Sequence, residues 1–125
     1  MTDTVQSYRQ LIAWQKSMKF TADVYRATRN FPKWELYGLV SQLRRAAISV
    51  PSNVAEGQGR RSTGEFKHFL GIARGSLLET ETQILLALEL QYLSSEDSER
   101  LLAETAEVGR IINGLINSLD GKRRN

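Results

Sequence analysis

Cysteine is absent from the 125 residues, which excludes disulfides and thiolate metal sites and makes a reducing cytoplasm the expected compartment. There is a single histidine, His68, too few for a histidine-based metal site or for the paired Glu-x-x-His motif of di-metal bundles. No apolar run approaches the ~18–20 residues that cross a bilayer, and the opening MTDTVQSYRQ has no apolar signal-peptide core. Strand-like alternation never persists beyond a few residues, and proline occurs only twice. These absences point to an all-α protein that takes no cofactor or metal and enters no membrane.

What is present suits one soluble domain over residues 1–125, with 41% hydrophobic and 25% charged residues. A chain of this length buries roughly two thirds of its unfolded surface, enough for a core without covalent staples. The formal net charge of +3 is unevenly spread. Residues 1–75 hold 12 Lys and Arg against 5 Asp and Glu, a net of +7, whereas residues 76–125 hold 5 against 9, a net of −4. A basic half suits a polyanion and an acidic half a neighbouring subunit; opposite-sign helices also pack side by side within one chain.

Four amphipathic registers follow. The first helix is expected over about 7–30, with Leu11, Trp14, Met18, Ala22, Tyr25 and Thr28 on one face and Phe20, Val24 and Phe31 on a second. Phe31-Pro32 stops it, since the residue before proline is pushed out of the α region. The second is expected over about 33–57, where Leu36, Val40, Leu43, Ala47, Val50 and Val54 keep phase through Pro51. A continuous phase across proline predicts a kinked helix rather than two helices. Gly57 and Gly59 then end it as left-handed caps. The third, about 63–92, opens on the capping box Ser62-Thr63-Gly64-Glu65 and carries Phe66, Leu70, Ala73, Leu77, Thr80, Ile84 and Leu88. Phe69, Leu78, Leu85 and Leu86 give it a second apolar face, and Gly71 and Gly75, costly inside a helix, imply a close neighbour. The fourth, about 95–119, follows Ser94 and carries Leu101, Thr105, Val108, Ile112, Leu115 and Leu119, leaving a polar tail over 120–125. Short loops between such helices make an antiparallel up-down-up-down four-helix bundle with a proline-kinked second helix. The surplus apolar stripes on helices one and three imply that copies associate.

The sequence also carries an extended motif. Leu11-Ile12-Ala13-Trp14-Gln15-Lys16, Phe31-Pro32, Gly38-Leu39 and the run from Ser41 through Arg44-Arg45-Ala46-Ala47 to Ser49-Val50-Pro51-Ser52-Asn53-Val54-Ala55-Glu56-Gly57 form its main part. Gly75-Ser76, Glu79 and Gln83 extend it. Together they resemble the bacterial four-helix-bundle proteins encoded in intervening sequences of 23S ribosomal RNA genes. The resemblance spans about Tyr8 to Leu119. It implies a four-helix protomer and a homopentameric ring. A related branch, the accessory variability protein of diversity-generating retroelements, works with a reverse transcriptase and RNA, so RNA or a nucleic-acid-processing protein is the partner the resemblance implies.

Candidate nucleic-acid contacts are Arg44, Arg45, Arg60, Arg61, Lys67 and Arg74. Arginine forks suit phosphate oxygens, and the amino end of helix three adds free N–H groups beside Arg60-Arg61. Against this, Glu65 sits in that same turn, and the arginines have possible acid partners in Glu79, Glu81 and Glu89 of other subunits. A protein-interaction scaffold without nucleic acid is therefore the alternative. Gln42, Ser49, Pro51, Asn53, Glu56 and Gly57 form a structural polar motif, in which Asn53 and Glu56 are placed to reach each other or the carbonyl freed by Pro51. Ser49 and Ser52 have no base with an orienting carboxylate, so an enzyme is not expected. Gly57-Gln58-Gly59-Arg60-Arg61-Ser62 lacks the spacing and the Lys-Ser/Thr ending of a phosphate loop. Trp14 and Trp34 are candidates for stacking on bases, Trp34 the freer of the two.

Overall fold

The structure, a computed structural model, describes residues 7–124; residues 1–6 and 125 of the expected domain lie outside the described residues. Among the described residues are four α-helices and no strand: α1 Ile12–Thr28, α2 Leu39–Gln58, α3 Thr63–Glu89 and α4 Ser95–Arg124. α1 and α3 each pack on both α2 and α4, while the backbones of the diagonal pairs do not approach one another. The result is a four-helix bundle. Contacts between neighbours run in opposite chain order, Lys16 meeting Glu107 where Lys19 meets Glu104, and Lys67 meeting Asp120 where Arg74 meets Asn113.

Helix ends follow the side chains that cap them. Ser62 Oγ accepts from the Glu65 N–H at 3.1 Å and Ser94 Oγ from the Asp97 N–H at 3.0 Å, as the sequence predicts. The first two starts differ from expectation. Ser7 caps a short 3-10 turn, Tyr8–Gln10, and Leu11 is extended, so α1 begins at Ile12 rather than near residue 7. A second 3-10 turn, Lys33–Glu35, delays α2 to Leu39, because Glu35 Oε1 accepts from the Leu39 N–H at 3.0 Å across Gly38. A Cβ on Gly38 would stand 2.7 Å from that oxygen, so glycine lets the carboxylate reach its cap. α3 stops at Glu89, short of the expected 92. Gln91 takes the left-handed conformation (φ 66°), and the Tyr92 and Gln91 N–H groups bond Ala87 and Leu88 carbonyls, closing a Schellman turn. α4 runs to Arg124, so helix continues through residues expected to be tail.

The core registers of α2 and α4 match their periodicity, with Leu43, Ala47, Val50 and Val54 facing Leu101, Val108 and Ile112 across the interior. Leu36 lies before α2 and is exposed. In α1 the expected second face is buried, Phe20 and Val24 within the helix and Phe31 just beyond it, together with Ala13, Ser17, Thr21 and Thr28; Met18 and Tyr25 of the expected first face lie on the surface. The polar members satisfy themselves by bonding back along the helix: Ser17 Oγ to the Ala13 carbonyl at 2.6 Å and Thr28 Oγ1 to the Val24 carbonyl at 2.9 Å.

Pro51 is buried inside an uninterrupted α2. It has no N–H, so the Ala47 carbonyl loses its helical donor. Thr21 Oγ1 on α1 lies 3.1 Å from that carbonyl oxygen and supplies one, sharing its hydrogen with Ser17 O at 2.8 Å. The expectation that Asn53 or Glu56 would serve Ala47 is corrected: Asn53 Nδ2 donates to Ser49 O and Glu56 pairs with Arg60. The glycine caps are corrected too. Gly59 has an ordinary right-handed conformation and Gly57 is buried within the helix. A Cβ on Gly57 would meet Phe66 Cδ1 and Phe69 Cβ, both at 2.9 Å, and the Phe66 carbonyl at 3.2 Å. Gly57 is therefore a point of close approach between α2 and α3. Gly57→Ala is expected to lower unfolding stability by about 1–3 kcal/mol, the usual cost of overpacking, despite alanine's better helix propensity. Urea unfolding of both proteins checks this.

Candidate polar groove and basic surface

The six basic candidates do not form one patch. Arg44 and Arg45 are adjacent in sequence, so about 100° of helical turn separates them. Arg44 turns to α1: its Nε donates to Thr28 Oγ1 at 2.8 Å, its Nη2 to the Tyr25 carbonyl at 3.1 Å, and its guanidinium lies 4.6 Å from the Tyr25 ring centre. Arg45 turns to the α2–α3 seam and is exposed. Arg60 pairs with Glu56 and stacks on Phe69 at 4.7 Å, while Arg61 is exposed in the loop. Lys67 pairs with Asp120, and Arg74 Nη1 donates to Asn113 Oδ1 at 2.9 Å, so both reach α4. Ser62 Oγ lies 3.3 Å from Glu65 Oε1, which places a carboxylate at the amino end of α3 where a phosphate would compete with it.

The polar motif does converge. Small side chains on α2 and α3 leave a groove of about 470 Å³ lined by Gln42, Arg45, Ala46, Ser49, Ser76 and Glu79. The Ser49 and Ser76 hydroxyl oxygens are 2.8 Å apart, and Asn53 Nδ2 donates to both Ser49 O (2.8 Å) and Ser49 Oγ (2.9 Å). The Ser49 hydroxyl thus has a hydroxyl and an amide as its hydrogen-bond partners. His68 packs edge-on against Phe69, 5.3 Å between ring centres. Pro51 and Gly57 lie buried beneath this surface, and Glu56 lies exposed at its far end with Arg60. Gln83, next in the motif, is buried with its Oε1 unpartnered.

A charged cluster between α1 and α4 has no counterpart in the sequence reading. Lys19 Nζ lies 2.9 Å from Asp23 Oδ2 and 3.6 Å from Glu104 Oε2, and Arg26 Nη1 lies 2.8 Å from Asp23 Oδ1. Burial, then the hydrogen bond and negative charge of Asp23, raise the Glu104 carboxyl to about 7. Hydrogen bonds from Glu104 and Lys19 hold Asp23 below its usual range against the opposing effect of burial. Near neutral pH Glu104 therefore holds its proton part of the time beside an ionised Asp23. The only sequence signal was an acid beside the core position Thr105. Among the described residues, no group of three or more His, Asp or Glu is placed to hold a metal ion, and no helix is long and apolar enough to cross a membrane.

The family model of the 23S rRNA-intervening sequence protein matches residues 9–114, most of the chain and all of the groove. The chain belongs to that family. The structure is also similar to the crystal structure of a protein of unknown function from the S23 ribosomal protein family of Bacteroides thetaiotaomicron. Identity is 22%, coverage is 84% of this chain and 98% of that one, and the TM-score is 0.76, a likeness of fold. No curated protein matches the chain. Part of the motif read from the sequence lines the α2–α3 groove: Gln42 and Ser49 on α2, and Ser76 and Glu79 on α3.

The Glu104 carboxyl makes stability depend on pH. Its folded-state pKa of about 7 lies above the ordinary 4.5, so between these values the folded state holds a proton that the unfolded chain has released. Its contribution is fully present below 4.5 and is lost as pH rises through 7. Glu104→Gln is expected to flatten that decline, gaining on the parent protein from pH 5 to pH 8; thermal melts across this range check it.

Proposed function

We propose that the protein is a non-enzymatic, self-assembling helical bundle whose homo-oligomer contacts RNA. The observation that carries assembly is the outward face of α3. Ile72, Leu78, Leu85 and Leu86 are 40–58% exposed there, and Gly71 and Gly75 have nothing within 4 Å of where a Cβ would stand. The close neighbour expected at these glycines is not in the chain, and a second copy supplies it in this reading. Family membership supports the ring of five implied by the sequence resemblance. Five copies of a +3 chain carry +15 formally, which multiplies weak contacts to a polyanion. Arg45, exposed and without an ion-pair partner among the described residues, supports the RNA contact.

A scaffold without nucleic acid is the second reading. The engagement of Arg44, Arg60, Lys67 and Arg74 within the protomer favours it. Light scattering after gel filtration tests the first part: the protein is expected at a multiple of 14.1 kDa, and Leu78→Glu at that mass itself with helicity intact. A folded parent at the mass of one chain would end the assembly reading. Filter binding to structured RNA at two salt concentrations separates the two readings. Salt-sensitive binding at micromolar protein supports RNA contact, and its absence leaves the scaffold.

A further inference from the structure

We infer that the connection between α1 and α2 is a platform for single-stranded RNA, with bases on Trp34 and Tyr37 and backbone phosphates on Arg29, Lys33 and Arg44. The inference rests on the nucleic-acid reading above and moves its site away from the Arg60-Arg61 loop. Trp34 is 79% exposed and Tyr37 is 93% exposed, although α1 and α2 bury other large side chains nearby. Trp34 lies in the 3-10 turn Lys33–Glu35 and Tyr37 two residues beyond it, so one short segment exposes two rings. Lys33 and Leu36 of the same segment form a second flank.

That second flank forms the wall of a groove of about 300 Å³, whose apolar floor includes Phe31, Leu36 and Val40. Its charged members are Arg29, Lys33 and Arg44, with no carboxylate among the lining residues. Arg44 is preset: Nε and Nη2 are held by Thr28 and Tyr25, which leaves Nη1 without a partner among the described residues. Glu35, the acid of the same turn, is engaged by the Leu39 N–H and the Tyr92 hydroxyl.

The chemistry selects the occupant. Unpaired bases offer π-faces to exposed rings, and stacking of this kind tolerates any sequence. Phosphates suit a rim of cations with no opposing acid. A base-paired duplex hides its π-faces and gains little from Trp34 or Tyr37.

The test is binding of the full-length protein to a fluorescently labelled 12-nucleotide oligouridylate at several salt concentrations. The variants are Trp34→Ala/Tyr37→Ala, Lys33→Ala and Arg60→Ala/Arg61→Ala, each checked for helicity and oligomer mass. The aromatic double variant is expected to bind at least about thirtyfold more weakly, from roughly fivefold or more per stacked base. Lys33→Ala is expected to reduce the slope of log affinity against log salt by about 0.7. The Arg60/Arg61 variant is expected to bind within about threefold of the parent protein. Unchanged binding by the aromatic variant would overturn the platform and leave the RNA reading standing on another surface. No binding by the parent protein would overturn both. A changed oligomer mass for the aromatic variant, or binding of the parent to anionic vesicles that depends on the two rings while RNA binding does not, would overturn the platform in favour of a subunit contact or a membrane surface.

Discussion

A proline inside the most crowded helix leaves one buried carbonyl without its helical donor, and a neighbouring helix must provide the substitute. Ala47 is fully buried, so water does not serve its oxygen. Thr21 does, and in doing so it fixes α1 against α2 in rotation and in height. With Thr21 turned inward, Phe20 and Val24 enter the core and Thr28 arrives beside Arg44. The other side of α2 meets α3 through Ala46, Ser49 and Gly57, small enough for the helices to close at the Gly57 end and to leave a polar groove towards the other. The long motif around Pro51 thus reads as the set of residues that lets one helix serve two neighbours.

How much of this was legible depended on whether the signal was local. Ser62 and Ser94 were readable because an amino-terminal cap acts within three residues. The α4 register was readable because Leu101, Val108, Ile112 and Leu119 are buried in one unbroken apolar phase. The α1 register was legible only in part: Phe20, Val24 and Phe31 marked the inner face, but Ser17 and Thr21 did not, because their hydroxyls are satisfied by carbonyls invisible to a hydrophobic count. Met18 and Tyr25 drew the periodicity to the wrong face. Gly57 looked like a helix terminator because close packing against Phe66 and Phe69 is a tertiary fact.

The basic residues show the same limit at the level of function. Proximity in sequence suggested clusters, but helical geometry sends Arg44 and Arg45 to different seams, and Lys67 and Arg74 spend themselves on α4. The polar motif was legible as a structural set, and the structure adds its partners Ser76 and Glu79 across the groove. What the sequence did carry into function is asymmetry. The apolar surplus lies on the outer face of α3, while exposed aromatic rings and cations gather where α1 meets α2. In the proposed function, assembly and RNA contact occupy different surfaces of one bundle.

The central claim is that the Thr21 hydroxyl replaces the N–H that Pro51 lacks. A double-mutant cycle of Thr21→Val and Pro51→Ala, followed by urea unfolding, tests it most directly. In the parent protein Thr21→Val is expected to cost about 1–2 kcal/mol, because it strands a buried carbonyl. In the Pro51→Ala background, where the backbone N–H at residue 51 returns to Ala47, the same change is expected to cost less by at least about 0.5 kcal/mol. An equal cost in both backgrounds would contradict the account.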